Sequence, residues 1–154
     1  MQWVKKQSPH QSRMDAARKL VVDSAFVPCP AEGGDEIYPN GIFHFNITKM
    51  LEHINQNPGQ YLLEEIPLEN LSLFSSSLNE DYVSIADITR PIILAVISPG
   101  RYVVIDGHHR LERARRMRVK AVPAYRIHVH QHIPFLTEKR AYLAYVEYWN
   151  SKLD

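Results

Sequence analysis

The feature that most constrains the fold of this chain is a pair of apolar runs separated by a tight turn signal. Residues 92–97 are six consecutive apolar residues, and residues 102–105 form a second, mostly apolar run. Between them, Ser98-Pro99-Gly100 is a strong turn signal. Apolar runs of this length between turn residues are typical of buried β-strands. We therefore predict a hairpin of two buried strands.

The second strand passes directly into a helical pattern. The junction reads Asp106-Gly107-His108-His109-Arg110. We predict a helix over 108–118 because apolar residues recur there at helical spacing. Its core-facing stripe is Leu111, Ala114 and Met117. Another strand is predicted over 121–127, and the alternation of strands and helices indicates an α/β (α+β) fold.

The remaining elements follow from weaker patterns. In the first part of the chain we predict a helix over 9–24, an irregular loop over 26–40 and a strand over 41–45. A short helix follows, capped by Asn46 or Thr48 and running to Asn55. Further on we predict an extended segment over 61–68, a polar region that is turn-rich or helical up to Asp87, and a final helix over 137–152. On the final helix, the predicted core stripe is Leu143, Val146 and Trp149.

Composition limits the class of protein. The chain has 154 residues, 45% of them hydrophobic and 23% charged, which is an ordinary globular mixture. Its one cysteine, Cys29, excludes an intramolecular disulfide and a cysteine-based zinc cluster. We expect a reducing, cytoplasmic setting. The basic N-terminal residues precede no apolar run, and no stretch is long enough to span a membrane, so neither a signal peptide nor a membrane partner is expected.

Charge is unevenly distributed along the chain. The formal net charge is +1, but residues 101–120 carry seven basic and two acidic side chains, a local charge of +5. Residues 64–87 carry six acidic side chains and no basic one. A basic helix beside an acidic stretch suits an anion site with a nearby carboxylate.

The junction between strand and helix has the properties of a phosphate site. A helix that begins after a buried strand presents unpaired backbone N–H groups and the positive end of its dipole. Gly107 allows a ligand to approach the backbone closely. His109 and Arg110 add side-chain donors. Asp106 could orient a histidine, coordinate Mg²⁺ or accept a proton.

The same residues also have an ordinary structural interpretation. Asp106 can be a simple N-cap, Gly107 a turn residue, and the arginines a solvated helix face. Spacing alone leaves both interpretations open.

A family resemblance favours the phosphate site. The motifs that carry it are Arg90-Pro91-Ile92, residues 104–114 with the Asp-Gly-His-His-Arg junction, the Val-Pro strand within 119–124, and an opening strand within 65–71. In this order they resemble the ParB/sulfiredoxin superfamily over about residues 61–130. The resemblance implies a small mixed sheet with flanking helices over residues 61–154, ending in a C-terminal helix. Residues 1–60 would be a partly helical extension packed on or preceding that core.

The departures from the family narrow the expected activity. Sulfiredoxins have a reactive cysteine where this chain has His108, and Cys29 lies far upstream, so sulfiredoxin chemistry is not expected. Chromosome-partitioning ParB proteins have Gly-Glu-Arg-Arg, bind CTP and continue into a helix-turn-helix domain. Only about twenty residues follow Pro134 here, so a partitioning role is not expected. The motif is most similar to that of the family's free-serine kinases, which use a nucleotide phosphoryl donor and a glutamate base.

The resemblance implies a nucleotide-binding protein that carries out phosphoryl transfer or nucleotide hydrolysis with ATP, ADP or CTP and Mg²⁺. The expected catalytic residues are Asp106, His108, His109 and Glu80. The expected phosphate and nucleotide ligands are Gly107, His108, His109, Arg110, Arg90 and Arg113. Other carboxylates remain open as the base, namely Asp81, Glu65 and Glu69. Asp106 is the expected contact to Mg²⁺.

Two other function classes remain open. A DNA-binding protein or a nuclease of the same superfamily would use the +5 segment, with Arg113 and Arg116 on phosphates. A non-catalytic nucleotide sensor or partner-binding protein would use residues 1–60 for its partner.

Two further patterns carry weaker hypotheses. His128, His130 and His132 alternate, which would place them on one face of a strand, either as metal ligands or as packing and solvated side chains. The tyrosine-rich final helix suits the core or a homodimer contact.

Overall fold

The computed structural model describes residues 18–40, 43–71 and 78–153. Its strands are β1 (Ile37–Asn40), β2 (Phe43–Asn46), β3 (Leu63–Pro67), β4 (Ile92–Ser98), β5 (Arg101–Asp106) and β6 (Ala121–Ile127). Its α-helices are α1 (Ile47–Gln56), α2 (Glu80–Ile85), α3 (His108–Arg116), α4 (Val129–His132) and α5 (Lys139–Ser151). Short 3₁₀ turns cover Pro58–Gln60, Leu68–Asn70 and Ile133–Phe135. The described part of the chain is therefore mixed α/β, as the sequence predicted.

A four-stranded mixed sheet in the order β3-β6-β4-β5 forms the main layer. Strand β4 pairs antiparallel with β5 and parallel with β6, and β3 pairs antiparallel with β6. All seven residues of β4 are buried, which explains why its first six residues are apolar. The predicted hairpin, the helix after it and the strand over 121–127 are confirmed.

A second, two-stranded sheet packs against the same core. Strand β1 pairs antiparallel with β2, and β2 runs directly into α1. Asn46 caps α1, because its Oδ1 accepts a hydrogen bond from the Lys49 N–H at 3.0 Å. This confirms one of the two predicted caps. Strand β1 lies inside the predicted loop over 26–40, so that prediction was wrong for its last four residues, whose backbone is paired with β2.

Residues 18–24 are not helical, contrary to the prediction of a helix over 9–24. Side chains of α5 bind the backbone that a helix would have used. Asn150 accepts a hydrogen bond from the Leu20 N–H at 2.8 Å and donates one to the Leu20 carbonyl at 2.9 Å. Trp149 Nε1 donates to the Arg18 carbonyl at 2.8 Å. Residues 9–17 of that prediction lie outside the described residues.

Two predicted core residues, Met117 after α3 and Leu143 in α5, are not buried. Helix α3 ends at Arg116, and Arg118 then adopts a left-handed φ of 59°, so Met117 leaves the helix and is 53% exposed. Leu143 of α5 is 41% exposed, while Val146 and Trp149 are buried as predicted.

The alternating histidines do not lie on a strand, so that interpretation was wrong. His128 is the N-cap of α4, and His130 and His132 lie within that helix. The Gln131 side chain accepts a hydrogen bond from the His128 N–H at 2.8 Å. His132 is fully buried and His130 is exposed. His132 Nε2 lies 2.7 Å from the Val96 carbonyl, to which it donates, and burial lowers its pKa to about 3. The three side chains therefore have three different environments instead of one common face.

Residues of the predicted extension and of the predicted domain contribute to one hydrophobic core. Phe45 and Ile47 belong to the same buried cluster as β4 and α5, and Phe45 forms an isolated β-bridge with Leu136. The boundary at residue 60 stays a prediction.

None of the helices in the described part of the chain is long and apolar enough to cross a membrane.

Candidate functional site

A cleft of about 1060 Å³ opens where β5 meets α3. Its floor is formed by residues 105–110, and we call it the junction cleft. Residues from other segments also line it, among them Glu36 and Tyr38 around the start of β1, Tyr82 and Ile85 from α2, and Asp87 and Arg90 from the loop before β4. The structure thus brings Arg90 to the Asp-Gly-His-His-Arg junction, as the proposed phosphate site requires.

Gly107 is the N-cap of α3, and its backbone explains why a glycine stands there. Its φ of 102° lies in the left-handed region, and no side chain caps the helix. A Cβ at this position would lie 2.5 Å from Ile92 Cγ2, which is closer than real contacts allow. The alternative in which Asp106 is the N-cap was wrong. The first N–H groups of α3 have no intrahelical acceptor.

Asp106 and Arg110 form a nearly buried ion pair at the base of the cleft. Arg110 Nη2 donates to Asp106 Oδ2 at 2.9 Å, and Nη1 donates to the Pro91 carbonyl at 3.0 Å. The two side chains are only 10% and 12% exposed. In this arrangement Arg110 joins β5, α3 and the start of β4. Two of its guanidinium nitrogens, Nη1 and Nη2, therefore already donate hydrogen bonds to protein acceptors.

The two histidines face different partners. His108 stacks on Tyr38 with the ring centroids 5.9 Å apart, and burial lowers its pKa, so the imidazole is neutral at pH 7. His109 Nε2 accepts a hydrogen bond from the Asn79 N–H at 3.1 Å, which places the proton of the neutral ring on Nδ1. Tyr82 packs edge-on against the His109 ring, with centroids 5.6 Å apart.

Two of the predicted site residues are not among those that line the cleft. Glu80 binds Arg116 through two hydrogen bonds of 2.6 and 2.9 Å, and these bonds lower the pKa of Glu80. Arg116 Nε also donates to Glu112 at 2.7 Å. Arg113 Nη1 reaches the Val83 carbonyl at 3.5 Å. These contacts hold α2 against α3, and the catalytic role of Glu80 stays a prediction.

Three alternative bases from the sequence also do not line the junction cleft. Asp81 is exposed on the first turn of α2, Glu65 is exposed on β3, and Glu69 is exposed on the following 3₁₀ turn.

Two carboxylates in the cleft were not predicted from the sequence. Glu36 lies just before β1, where its N–H donates to Thr48 Oγ1 at 2.8 Å and its carbonyl accepts from the Ile47 N–H at 2.8 Å. Desolvation raises the pKa of Glu36, and the negative charge of Asp106 raises it further. The positive charge of Arg110 acts in the opposite direction and lowers it. Nothing in the local sequence could reveal this position, because Glu36 reaches the site through tertiary contacts.

Asp87 is the second unpredicted carboxylate. Its Oδ1 accepts hydrogen bonds from the Thr89 N–H at 3.0 Å and from Thr89 Oγ1 at 2.6 Å, which lower the pKa of Asp87. The Asp-x-Thr spacing is the signal that could have revealed this turn.

Part of the cleft lining is apolar, and we call Tyr82 and Ile85 the apolar wall. Tyr82 is 59% exposed and Ile85 is 77% exposed, so both offer uncovered surface. Tyr38 and Leu51 also line the cleft. Ligand sites commonly combine such apolar surface with a few converging polar groups.

The described residues contain no group of three or more histidine, cysteine, aspartate or glutamate side chains that could hold a metal ion. Mg²⁺ commonly takes one or two protein carboxylates and completes its shell with substrate phosphates and water. Asp106 and Asp87 fit that limited role. The donor set does not fit a metal held by protein ligands alone.

Comparison with known proteins gave no match to a family model, a curated protein or a solved structure.

Proposed function

We propose that the junction cleft binds a nucleotide and that the chain transfers or hydrolyses its terminal phosphoryl group. The observation that carries this proposal is the glycine-capped N-terminus of α3, which opens into a large cleft lined by Arg90, His108 and His109. The resemblance to the ParB/sulfiredoxin superfamily, and within it to free-serine kinases, supports the same function.

The phosphates would lie at the first turn of α3. The backbone N–H groups of His108 and His109 and the positive end of the helix dipole favour an anion there. Arg90 is exposed in the cleft, and no hydrogen bond or ion pair engages its side chain in the described part of the chain. It is therefore better placed than Arg110 to grip phosphate oxygens, because Arg110 is bound to Asp106 and Pro91.

The nucleobase would lie against the apolar wall. Tyr82 and Ile85 offer exposed apolar surface beside His109. An aromatic ring provides a large contact area for a flat base. This wall does not distinguish purines from pyrimidines, so ATP, ADP and CTP all remain candidates.

Mg²⁺, held by Asp106 or Asp87 together with the phosphates, would neutralise charge on the phosphate oxygens. The chain's own contribution is then positioning and charge stabilisation, which dominate phosphoryl transfer.

A thermal-shift screen tests nucleotide binding. ATP, ADP, CTP, GTP and AMP are each added with and without Mg²⁺, and the melting temperature is measured. A ligand that binds only the folded state at a hundredfold excess over its Kd stabilises the fold by about 2.7 kcal/mol. We expect a selective rise that is strongly reduced in Arg90→Ala.

Arg101→Ala is the matched control for this screen. Arg101 is also exposed, but it begins β5, whereas the cleft lies at the other end of that strand. The control variant is expected to keep the shift. Wild-type protein that shows no shift with any nucleotide would contradict the proposal.

The DNA alternative gains no support from the arrangement of α3. Arg115 and Arg116 both pair with Glu112, whose charge is already counted in the +5 of residues 101–120. Arg116 also pairs with Glu80, which lies outside that segment and offsets one of its positive charges. DNA binding, nuclease activity and homodimer formation stay predictions. A nucleotide sensor is separated from the proposed enzyme by turnover, with water or free serine as the first acceptors to try.

A further inference from the structure

Three carboxylates line the junction cleft, and they differ in what they already bind. Asp106 accepts a hydrogen bond from Arg110, and Asp87 accepts two from Thr89. In the described part of the chain, the Glu36 carboxylate takes part in no hydrogen bond or ion pair, although its residue lines the same cleft. A proton acceptor needs an available lone pair within reach of the reacting group.

We infer that Glu36 is the general base of this site and takes the proton from the hydroxyl group or water that attacks the terminal phosphorus. This inference rests on the proposed function and deepens it. It assigns the base to a residue of the chain before β1 instead of to Glu80, whose carboxylate is bound to Arg116.

The backbone of Glu36 is fixed while its carboxylate remains available. Thr48 and Ile47, at the start of α1, bind the N–H and the carbonyl of Glu36 at 2.8 Å each. The side chain therefore starts from a defined point on the cleft wall. A base anchored in this way is positioned without losing its acceptor capacity.

The surroundings of Glu36 also suit a base. Glu36 is exposed to solvent. Partial desolvation by its neighbours raises its pKa, as does the negative charge of Asp106, whereas Arg110 opposes both effects. A carboxylate with a raised pKa holds a proton more strongly and is the better acceptor. The other titratable or charged groups that line the cleft are Tyr38, Tyr82, Asp87, Arg90, Asp106, His108, His109 and Arg110.

The proposed step is balanced. The acceptor O–H bond breaks, and its proton moves to a Glu36 oxygen. The acceptor oxygen forms a bond to the terminal phosphorus as the bond from that phosphorus to the bridging oxygen breaks. The leaving nucleoside diphosphate keeps the electron pair of the broken bond. Glu36 then releases the proton to solvent, and the phosphorylated acceptor or inorganic phosphate departs.

The test measures nucleoside diphosphate formation from ATP, CTP and GTP with Mg²⁺, with water alone and with added free serine, across a range of pH. The variants are Glu36→Gln, Glu36→Asp and the control Glu52→Gln, which changes an exposed glutamate of α1 that does not line the cleft. A general base contributes about 10²- to 10⁴-fold. We expect Glu36→Gln to lower kcat by that factor, to leave KM and the thermal shift close to wild type, and to remove the acidic limb of the pH profile.

The remaining outcomes separate the two levels of the proposal. Partial recovery of kcat in Glu36→Asp, with wild-type behaviour of Glu52→Gln, supports the assignment. A Glu36→Gln protein that keeps wild-type kcat and the acidic limb overturns Glu36 as the base and leaves the proposed function intact. Wild-type protein that binds nucleotide but forms no diphosphate overturns phosphoryl transfer itself, and the role of Glu36 with it.

Discussion

The chain contains two histidine-rich segments, and the structure uses them in opposite ways. His108 and His109 follow the glycine cap of α3 and line the junction cleft. His132, at the end of α4, is fully buried, donates to the Val96 carbonyl and packs edge-on against Phe45 and Tyr145. Residue type is the same in both places. Access and hydrogen-bond partners decide which imidazole can meet a ligand and which one only holds the core together.

The largest expected effect comes from breaking the buried histidine. His132→Ala removes a hydrogen bond and leaves a cavity among aromatic rings, so we expect the free energy of unfolding to fall by about 2–5 kcal/mol. Urea denaturation measures this change. His130→Ala, at an exposed position of the same helix, is expected to stay within about 0.5 kcal/mol of wild type. If His132→Ala and His130→Ala lost the same free energy of unfolding, the difference proposed between the buried and the exposed histidine would be wrong.

The pH dependence of stability sharpens the same comparison. The pKa of His132 is about 3 in the folded chain and near 6.5 when unfolded, so the unfolded chain binds the proton first as pH falls. Its stabilising contribution is therefore complete above pH 6.5 and declines by about 1.4 kcal/mol per pH unit below it. Between pH 6.5 and about 4.5 the loss reaches about 2 kcal/mol.

The measurement is the free energy of unfolding as a function of pH for wild type, His132→Gln and His130→Gln. The decline should be much weaker in His132→Gln and unchanged in His130→Gln. The pKa of His108 is also lowered, so it contributes the slope that remains. Glu112, with its pKa lowered to about 2 by Arg115 and Arg116, affects stability only at more acidic pH, below its ordinary value. An unchanged slope in His132→Gln would show that this imidazole is not the buried neutral group described above.

A smaller loss of stability is expected when a side chain is added at the glycine cap of the cleft. Gly107→Ala places a Cβ 2.5 Å from Ile92 Cγ2 at a φ of 102°, and we expect a loss of about 1–3 kcal/mol together with loss of the nucleotide-dependent shift. Gly100→Ala is the matched control, because Gly100 has a φ of 74° but no atom within 4 Å of the added Cβ. Thermal unfolding with and without nucleotide separates the shared backbone strain from the contact with Ile92. Normal nucleotide binding by Gly107→Ala would argue against phosphate at this turn.

The sequence predicted most of the central sheet because its signals are local. The apolar run of β4, the turn after it and the glycine before α3 each indicate their structure within a few residues. The assignment of Arg90 to the same site as the Asp-Gly-His-His-Arg junction came from the family resemblance and not from a local signal, and both line the junction cleft.

Predictions failed where distant contacts decide the conformation. Residues 18–24 have a helical apolar pattern, but Asn150 and Trp149 take their backbone groups. The alternation of histidines resembled a strand, because a helix as short as α4 cannot display a helical period. Glu36 could not be predicted as part of the cleft, since only the pairing of β1 with β2 and the bonds to α1 bring it there.

The smallest expected effect decides between two glutamates. Glu80→Gln weakens an exposed ion pair, and Arg116 keeps its bond to Glu112, so we expect an unchanged melting temperature within error. Diphosphate formation should also stay at the wild-type rate, because Glu80 does not line the junction cleft. Glu36→Gln, assayed beside it, carries the same loss of charge inside the cleft. If Glu80→Gln abolished turnover while Glu36→Gln kept it, the base predicted from the sequence would be correct, and α2 would have to move toward the cleft when a nucleotide binds.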